Sequence, residues 1–305
     1  MSAIATNSST RVRDSVLGAR LREAGWGYAF VLVPMAVFGL FFIYPFGYAI
    51  YISLYDWGIL GKTVGSSAGL HNYHLLLHDR VFHTAIKNII EYTVVIVPLE
   101  MALGLSMALV VNAKIHAQPF FRAAFYFPSI ASSVSIITIA IYILNSDGLL
   151  NRVVGGHRSW FGDSHTALWS IVGLNAWTTA GTIMVFYLAA LQSIPLDVYE
   201  AAAVDGTSAW RAFWKITFPL LRPGHFFVLV IFGIGALKLF DQAFLASRGS
   251  GGPNNSTMTP VLYIYRTAFA SSEFGLAAAA GVVFFVLILV LTVISRATVG
   301  RAEVL

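Results

Sequence analysis

Six long apolar runs, each bounded by charged or turn-forming residues, recur along this 305-residue chain. A hydrocarbon core about 30 Å thick needs roughly 20 apolar residues per helix, and segments at about 27–54, 89–112, 123–145, 167–192, 224–246 and 274–295 reach that length. The third fills the charge-free interval between Arg122 and Asp147, the fourth that between Asp163 and Asp197, and the sixth that between Glu273 and Arg296. Backbone groups in lipid must find their partners within the segment, so these runs are expected to be helices and not strands. Two are interrupted: the second by Glu91 and Glu100, the fifth by Lys238 and Asp241 toward its end. The pattern predicts an all-α membrane protein of six transmembrane helices. Residues 26–296 form the transmembrane domain, 1–25 a flexible cytoplasmic tail and 297–305 a second cytoplasmic tail.

Composition agrees with this reading. Hydrophobic residues make up 57% of the chain and charged residues 11%, against about 25% charged in soluble domains. Cysteine is absent, which excludes disulfides, thiolate metal sites, iron–sulfur clusters and thiol catalysis. The net charge of +5 does not point to nucleic acid, because the basic residues are scattered between apolar runs with no stripe interleaved with aromatics. Their distribution bears instead on orientation. Loops on one side, with Lys114, Arg122, Arg211, Lys215 and Arg222, carry eleven Lys and Arg together with the termini, against seven on the other side. The positive-inside rule then places both termini and the 193–223 loop in the cytoplasm. The apolar run Ala24 to Tyr55 is too long for a signal-peptide core and is expected to remain as an anchor, bracketed by Trp26, Tyr28, Tyr55 and Trp57.

The 193–223 loop holds more than a plain connection needs. Pro195 ends the fourth apolar helix because it cannot donate to it. Asp197 precedes good helix formers, with Glu200 expected in the first turn, where its charge complements the helix dipole. Ala201, Ala202 and Ala203 keep the surface thin, and Asp205 leads into Gly206, which permits a bend or a positive φ. Trp210, Phe213, Trp214 and Ile216 supply an apolar face before Pro219 and Pro223 turn the chain back. On chemistry alone such a pair of short helices suits either a protein-docking surface or an interfacial hairpin resting on lipid headgroups.

Here the sequence resembles a family. Glu200-Ala201-Ala202, three residues, Gly206, nine residues, Ile216, one residue and Phe218-Pro219 reproduce the EAA signature of ATP-binding-cassette importer permeases, with Phe218 where the family usually has leucine. Tyr44-Pro45, Gly69-Leu70 with Asn72-Tyr73, Asp147 to Asn151, Leu188 to Pro195, Phe240-Asp241 and Gly251-Gly252-Pro253 are similar to oligosaccharide-type members. The run Leu245 to Ser250 departs from the leucine-threonine-glycine pattern that usually precedes the Gly-Gly-Pro. The resemblance implies an importer permease fold in a bacterial or archaeal inner membrane, and half of a pore for a sugar. It also implies a second homologous permease, two ATPase subunits holding ATP and Mg, and an extracytoplasmic solute-binding protein. Of this chain it implies contact with lipid and no cofactor, and the scattered basic residues add no nucleic acid to the partners. Glu200, Ala201, Ala202, Asp205, Gly206, Ile216 and Pro219 would then form the coupling helix seated on an ATPase.

Other signals are weaker. Gly58 to Thr63 mimics a phosphate-binding loop, but the pattern requires glycine where Asp56 stands. His71, His74, His78 and His83 have roughly helical spacing, yet no acidic companion supports a metal site. Glu100 should face protein or a wet cavity, since its charge is costly in lipid. It could contact solute, pair with another helix or be protonated. Lys238 and Asp241, three residues apart, could pair on one helix face or face solute. Tyr142, Asn145, Asn175, Trp177 and Thr178 are further candidates for a solute path, with helix packing as the alternative for each. An importer of glycerol phosphate or another small polar solute would fit the same pattern. An ion-coupled transporter using Glu100 and Asp241, or a membrane scaffold, are readings of a different class. The first of these usually carries internal repeats, and none is evident.

Overall fold

The computed structural model describes residues 23, 25–58, 61–113 and 116–299, with the backbone alone at 61–66 and 297–299. Of the two expected tails, residues 1–22, 24 and 300–305 lie outside the described residues, and the last helix continues past residue 296 to Val299. Contacts divide the chain into two units, one ending at Ile52 and the other beginning at Ser53. The first holds nearly all of α1, Gly25–Ser53, an apolar helix with a π-helical turn at Gly39–Ile43.

The second unit opens on an antiparallel ribbon, β1 (Tyr55–Gly58) and β2 (Gly61–Ser67), with Trp57 opposite Lys62 and Gly58 opposite Gly61. The chain is therefore not wholly helical, because a hydropathy pattern registers apolar runs and is silent on a short glycine-containing hairpin. The segment that mimicked a phosphate loop lies in this ribbon, with Ile59 and Leu60 outside the described residues. A phosphate loop leads from a strand into a helix, and here β1 is followed by β2.

α2 (His71–His78) leads into α3 (Arg80–Asn112). The sequence placed the start of α3 near residue 89, but Asp79 begins it earlier: its Oδ1 accepts from the backbone N–H of Val81 at 2.7 Å and of Phe82. Residues 80–88 are amphipathic, burying Phe82, Ala85 and Asn88, so an apolar-run criterion passes over them. The Tyr263 hydroxyl donates to the same Asp79 carboxylate. Burial first, then Asp79, holds that hydroxyl above its ordinary range and so keeps it a donor. Asn88 Nδ2 donates to the carbonyls of Asn255 (2.8 Å) and Met258 (2.9 Å), pinning a distant loop to α3. Asn88→Leu removes both bonds and is expected to cost about 1–3 kcal/mol, read as a lower thermal midpoint in detergent. An unchanged midpoint would show that the loop is held by other contacts.

The third apolar run is not one helix. It is a pair, α4 (Gln118–Ile130) and α5 (Ser133–Ile143), bent by 90°. Pro128 removes one N–H from the end of α4, and Ala131 is extended at φ −76°, ψ 148°. α6 (Leu149–Val154) and α7 (Ala167–Gln192) follow, then α8 (Leu196–Val204). α9 starts at Ala209–Ala212, passes through a π-helical turn at Phe213–Thr217 and ends in Phe218–Leu220. α10 (Arg222–Leu237) and α11 (Asp241–Ser247) make up the fifth run, which is broken at residues 238–240. α12 (Pro260–Tyr265), extended by a π-helical turn at Arg266–Ala270, precedes α13 (Phe274–Val299). Among the described residues five helical segments are long and apolar enough to cross a membrane, and the bent pair makes a sixth.

The longest interface joins α3 to α7. Gly104 of α3 makes room for it, since a Cβ there would collide with the Ile183 side chain. Two buried clusters lie along this pair. One, around Ile89, Ile96 and Ile171, reaches α10 and α12. The other, around Val111, Met184 and Tyr187, reaches Ile194 and Leu221 at the ends of the 193–223 loop.

Candidate functional site

Irregular backbone at membrane depth is tolerated only where it is buried in protein or lines a wet cavity, and among the described residues the break between α4 and α5 and that between α10 and α11 each border a polar cavity. The first cavity, 320 Å³, is lined by Tyr92 and Glu100 from α3, Asn175 and Thr179 from α7, and Lys238 and Asp241 from the break between α10 and α11. The second, 200 Å³, lies at the corner between α4 and α5, with Ser129, Ser133, Thr178 and Thr182 on its wall. Asn175, Thr179 and Gln242 line both. Asn175, Thr178, Thr179 and Thr182 repeat at i, i+3, i+4 and i+7, so α7 turns one amide-and-hydroxyl face to the two spaces.

Within the first cavity Glu100 is 4% exposed and has Thr179 as its side-chain neighbour. Asn175 Nδ2 donates to the Tyr92 hydroxyl at 2.6 Å. Four sequence candidates, Glu100, Asn175, Lys238 and Asp241, therefore converge here, and Thr178 joins Asn175 on the second cavity.

Of the two readings open for Lys238 and Asp241, pairing with each other is not what the structure shows. The helix stops at Lys238 and restarts at Asp241, so the two are not on one helix face. Asp241 instead accepts from Ser133 Oγ at 3.2 Å across the break. Among the described residues Lys238 makes no ion pair.

Three candidates fall outside. Tyr142 is 72% and Trp177 54% exposed, away from both cavities. Asn145 belongs to the turn after α5, where its Oδ1 accepts from the Ser146 N–H and its carbonyl accepts from Asn151. Tyr92, Thr179, Ser129 and Gln242 were not singled out from sequence. The helical repeat of polar residues from Asn175 to Thr182 would have disclosed Thr179. Gln242 and Ser129 gain their place only through the two breaks.

The histidines near α2 are engaged locally: His78 Nδ1 lies 2.8 Å from the His74 carbonyl, and His83 Nε2 lies 2.8 Å from that of Leu77. Among the described residues no group of three or more His, Cys, Asp or Glu is placed to hold a metal.

In the 193–223 loop α8 begins at Leu196, so the acid in its first turn is Asp197, and Glu200 lies one turn further on, exposed. The helix ends in a Schellman motif. Gly206 N–H donates to the Ala203 carbonyl at 3.0 Å, and Thr207 N–H to that of Ala202 at 2.9 Å, with Gly206 at φ +70°. Ala201 and Asp205 are exposed, Ala202 is buried, and Ile216 and Pro219 are half-buried. Pro219 was expected to turn the chain, but it is absorbed into the last turn of α9 after the π-helical turn. Pro223 lies in the first turn of α10, where its missing N–H costs nothing. The Tyr199 and Thr217 hydroxyls bond at 3.0 Å and tie α8 to α9. Val204 (89%) and Trp210 (73%) leave an apolar tip in the open.

The chain matches the model of the family described as binding-protein-dependent transport system inner membrane component over residues 24–303. It is 33% identical to the lactose transport system permease protein of Rhizobium radiobacter, over 88% of this chain and 91% of that protein. It is 31% identical to the multiple sugar-binding transport system permease protein of Streptococcus mutans, over 92% and 97%. Among solved structures it is similar to a chain of a bacterial transporter that imports the acidic polysaccharide alginate. That likeness has a TM-score of 0.79 at 21% identity and covers 94% of this chain and 99% of the other.

Proposed function

The chain belongs to the family of binding-protein-dependent transport system inner membrane components, and on that premise we propose that it lines one half of the passage through which a sugar or oligosaccharide is imported. It is a multi-pass inner-membrane permease subunit of an ATP-binding-cassette importer and not an enzyme. In the assembly we infer, a second, homologous permease supplies the other half of the passage. Two ATPase subunits holding ATP and Mg drive it, and an extracytoplasmic binding protein delivers the solute. Both termini and the 193–223 loop face the cytoplasm. There Glu200, Ala201, Ala202, Asp205, Gly206, Ile216 and Pro219 form the surface that an ATPase engages.

The observation that carries the sugar reading is the pair of polar cavities. A sugar is neutral and rich in hydroxyls, and the α7 face offers one amide and three hydroxyls, with Tyr92 and Phe240 as ring surfaces beside them. The buried carboxyl of Glu100 and the carboxylate of Asp241 stand beside one ammonium, Lys238, so the cavity carries no excess of positive charge. That balance does not favour a phosphate ester over a sugar. The permeases it resembles are named for lactose and for multiple sugars.

The test is to purify the chain in mild detergent, identify its companions, and titrate the binding protein with neutral oligosaccharides and with glycerol phosphate. Companion ATPases and a binding protein that retains a neutral sugar are expected. Retention of glycerol phosphate alone would overturn the sugar reading. Uptake that stops with an ionophore but continues without the ATPase would overturn the importer reading.

A further inference from the structure

We propose that a column of aromatic side chains, Trp214–Phe218–His225–Tyr187, is the strut that carries movement of the coupling loop into α7, and that His225 and Phe218 are positioning residues for transport. This rests on the reading of 193–223 as the coupling loop.

The column crosses three elements. On α9 the Trp214 ring lies 5.7 Å from the exposed Trp210 and 5.3 Å from Phe218, measured between centroids. Phe218 meets His225 of α10 at 4.5 Å, and His225 meets Tyr187 of α7 at 5.3 Å. The last contact is also a hydrogen bond, 2.9 Å between His225 Nδ1 and the Tyr187 hydroxyl. Exposure falls from 73% at Trp210 through 48% at Trp214 to 0% at Tyr187, so the chain of rings runs from the open tip of the loop into the second buried cluster.

Its parts are stiff. Aromatic side chains have only two torsions, and packed interiors transmit displacement because they leave little free volume. Tyr199 and Thr217 bind α8 to α9, so a push on the Glu200 helix reaches α9 as well. A Cβ on Gly224 would lie 3.0 Å from Ala190 Cβ, and this close approach of α10 to α7 leaves His225 little room to slide. α7 continues to Thr179 and Asn175 on the cavity walls, about 12–18 Å along the helix from Tyr187 at 1.5 Å per residue. The column thus joins the face that an ATPase would move to the face that a solute would touch, through contacts that no single helix provides.

The experiment is a double-mutant cycle on the whole assembly, with partner permease, ATPases and solute-loaded binding protein reconstituted in vesicles. ATP hydrolysis and uptake of a radiolabelled neutral disaccharide that the binding protein retains are measured together. Phe218→Leu and His225→Leu are each expected to lower uptake per ATP by about fivefold. The double variant should also fall by about fivefold, since residues acting as one device do not add. An unchanged ratio in either single variant, or a multiplied loss in the double, overturns the column. Should the leucine variants fail to assemble, Tyr187→Phe keeps the buried ring and removes only the hydroxyl. A fall of about twofold in uptake per ATP supports the strut, and no fall overturns it. Failure of the coupling-loop reading looks different: the wild-type assembly then transports with no ATPase attached, before any variant is made.

Discussion

Gly206→Val is expected to abolish uptake, by at least about tenfold, while the chain still inserts and accumulates in the membrane. Beyond its two chain neighbours nothing stands within 4 Å of the Cβ that valine would add, so the effect arises from the backbone conformation. Gly206 sits at φ +70°. An L-residue there costs roughly 1–2 kcal/mol, and a β-branched one is a genuine outlier. To relieve that strain the Schellman bonds from Gly206 and Thr207 to Ala203 and Ala202 must open, and α8 then leaves α9 at another angle. Each 1.4 kcal/mol is about a tenfold shift in population, enough to empty the conformation that presents Glu200 and Trp210 together. Asparagine adopts the left-handed conformation more readily, so Gly206→Asn should retain uptake within about threefold of wild type. Uptake normalised to the amount of chain in the membrane fraction checks both. Wild-type transport by Gly206→Val would mean that the angle between α8 and α9 does not matter.

The same loop shows what a sequence can disclose. A glycine three residues after alanines at the end of a short helical pattern announces a helix stop, and the two-helix hairpin, its Gly206 hinge and the stop at Pro195 were all legible because each rests on local chemistry. Apolar run length likewise located α1, α7 and α13 to within a few residues. It failed where tertiary packing overrode it. Nothing in the charge-free stretch between Arg122 and Asp147 marks a 90° corner except Pro128, and a proline in a membrane helix is often tolerated. For a related reason the break at 238–240 was not legible. Lys238 and Asp241 have the spacing of a helical ion pair, and only the packing of α11 against α5, with Ser133 donating to Asp241, separates them. The cavities followed from those breaks. Glu100 and Asn175 could be nominated as polar residues within apolar helices, whereas Gln242 could not, because its place is set by a helix that restarts.

Gly181→Val is expected to prevent the chain from folding to its native packing, at a cost of about 3 kcal/mol or more. Here the obstacle is contact and not conformation. A Cβ on Gly181 would strike the Phe125 carbonyl and would lie 2.7 Å from Ser129 Oγ and 3.0 Å from Tyr126 Cα. Two of these are backbone atoms of α4, which cannot rotate aside as a side chain can. α4 would have to lift from α7 and lose the bond from Ser129 Oγ to the Thr178 carbonyl, 2.6 Å long. Gly173, two turns earlier on the same helix, has nothing within 4 Å of its added Cβ. Gly173→Ala should therefore leave stability unchanged or raise it by up to about 1 kcal/mol through helix propensity. Thermal midpoints and elution profiles in detergent separate the two, with aggregation expected for Gly181→Val and a wild-type profile for Gly173→Ala. A Gly181→Val chain that purifies with the wild-type midpoint would mean that α4 does not rest on α7 here. The corner between α4 and α5, and the second cavity that this corner walls, would then lose their support.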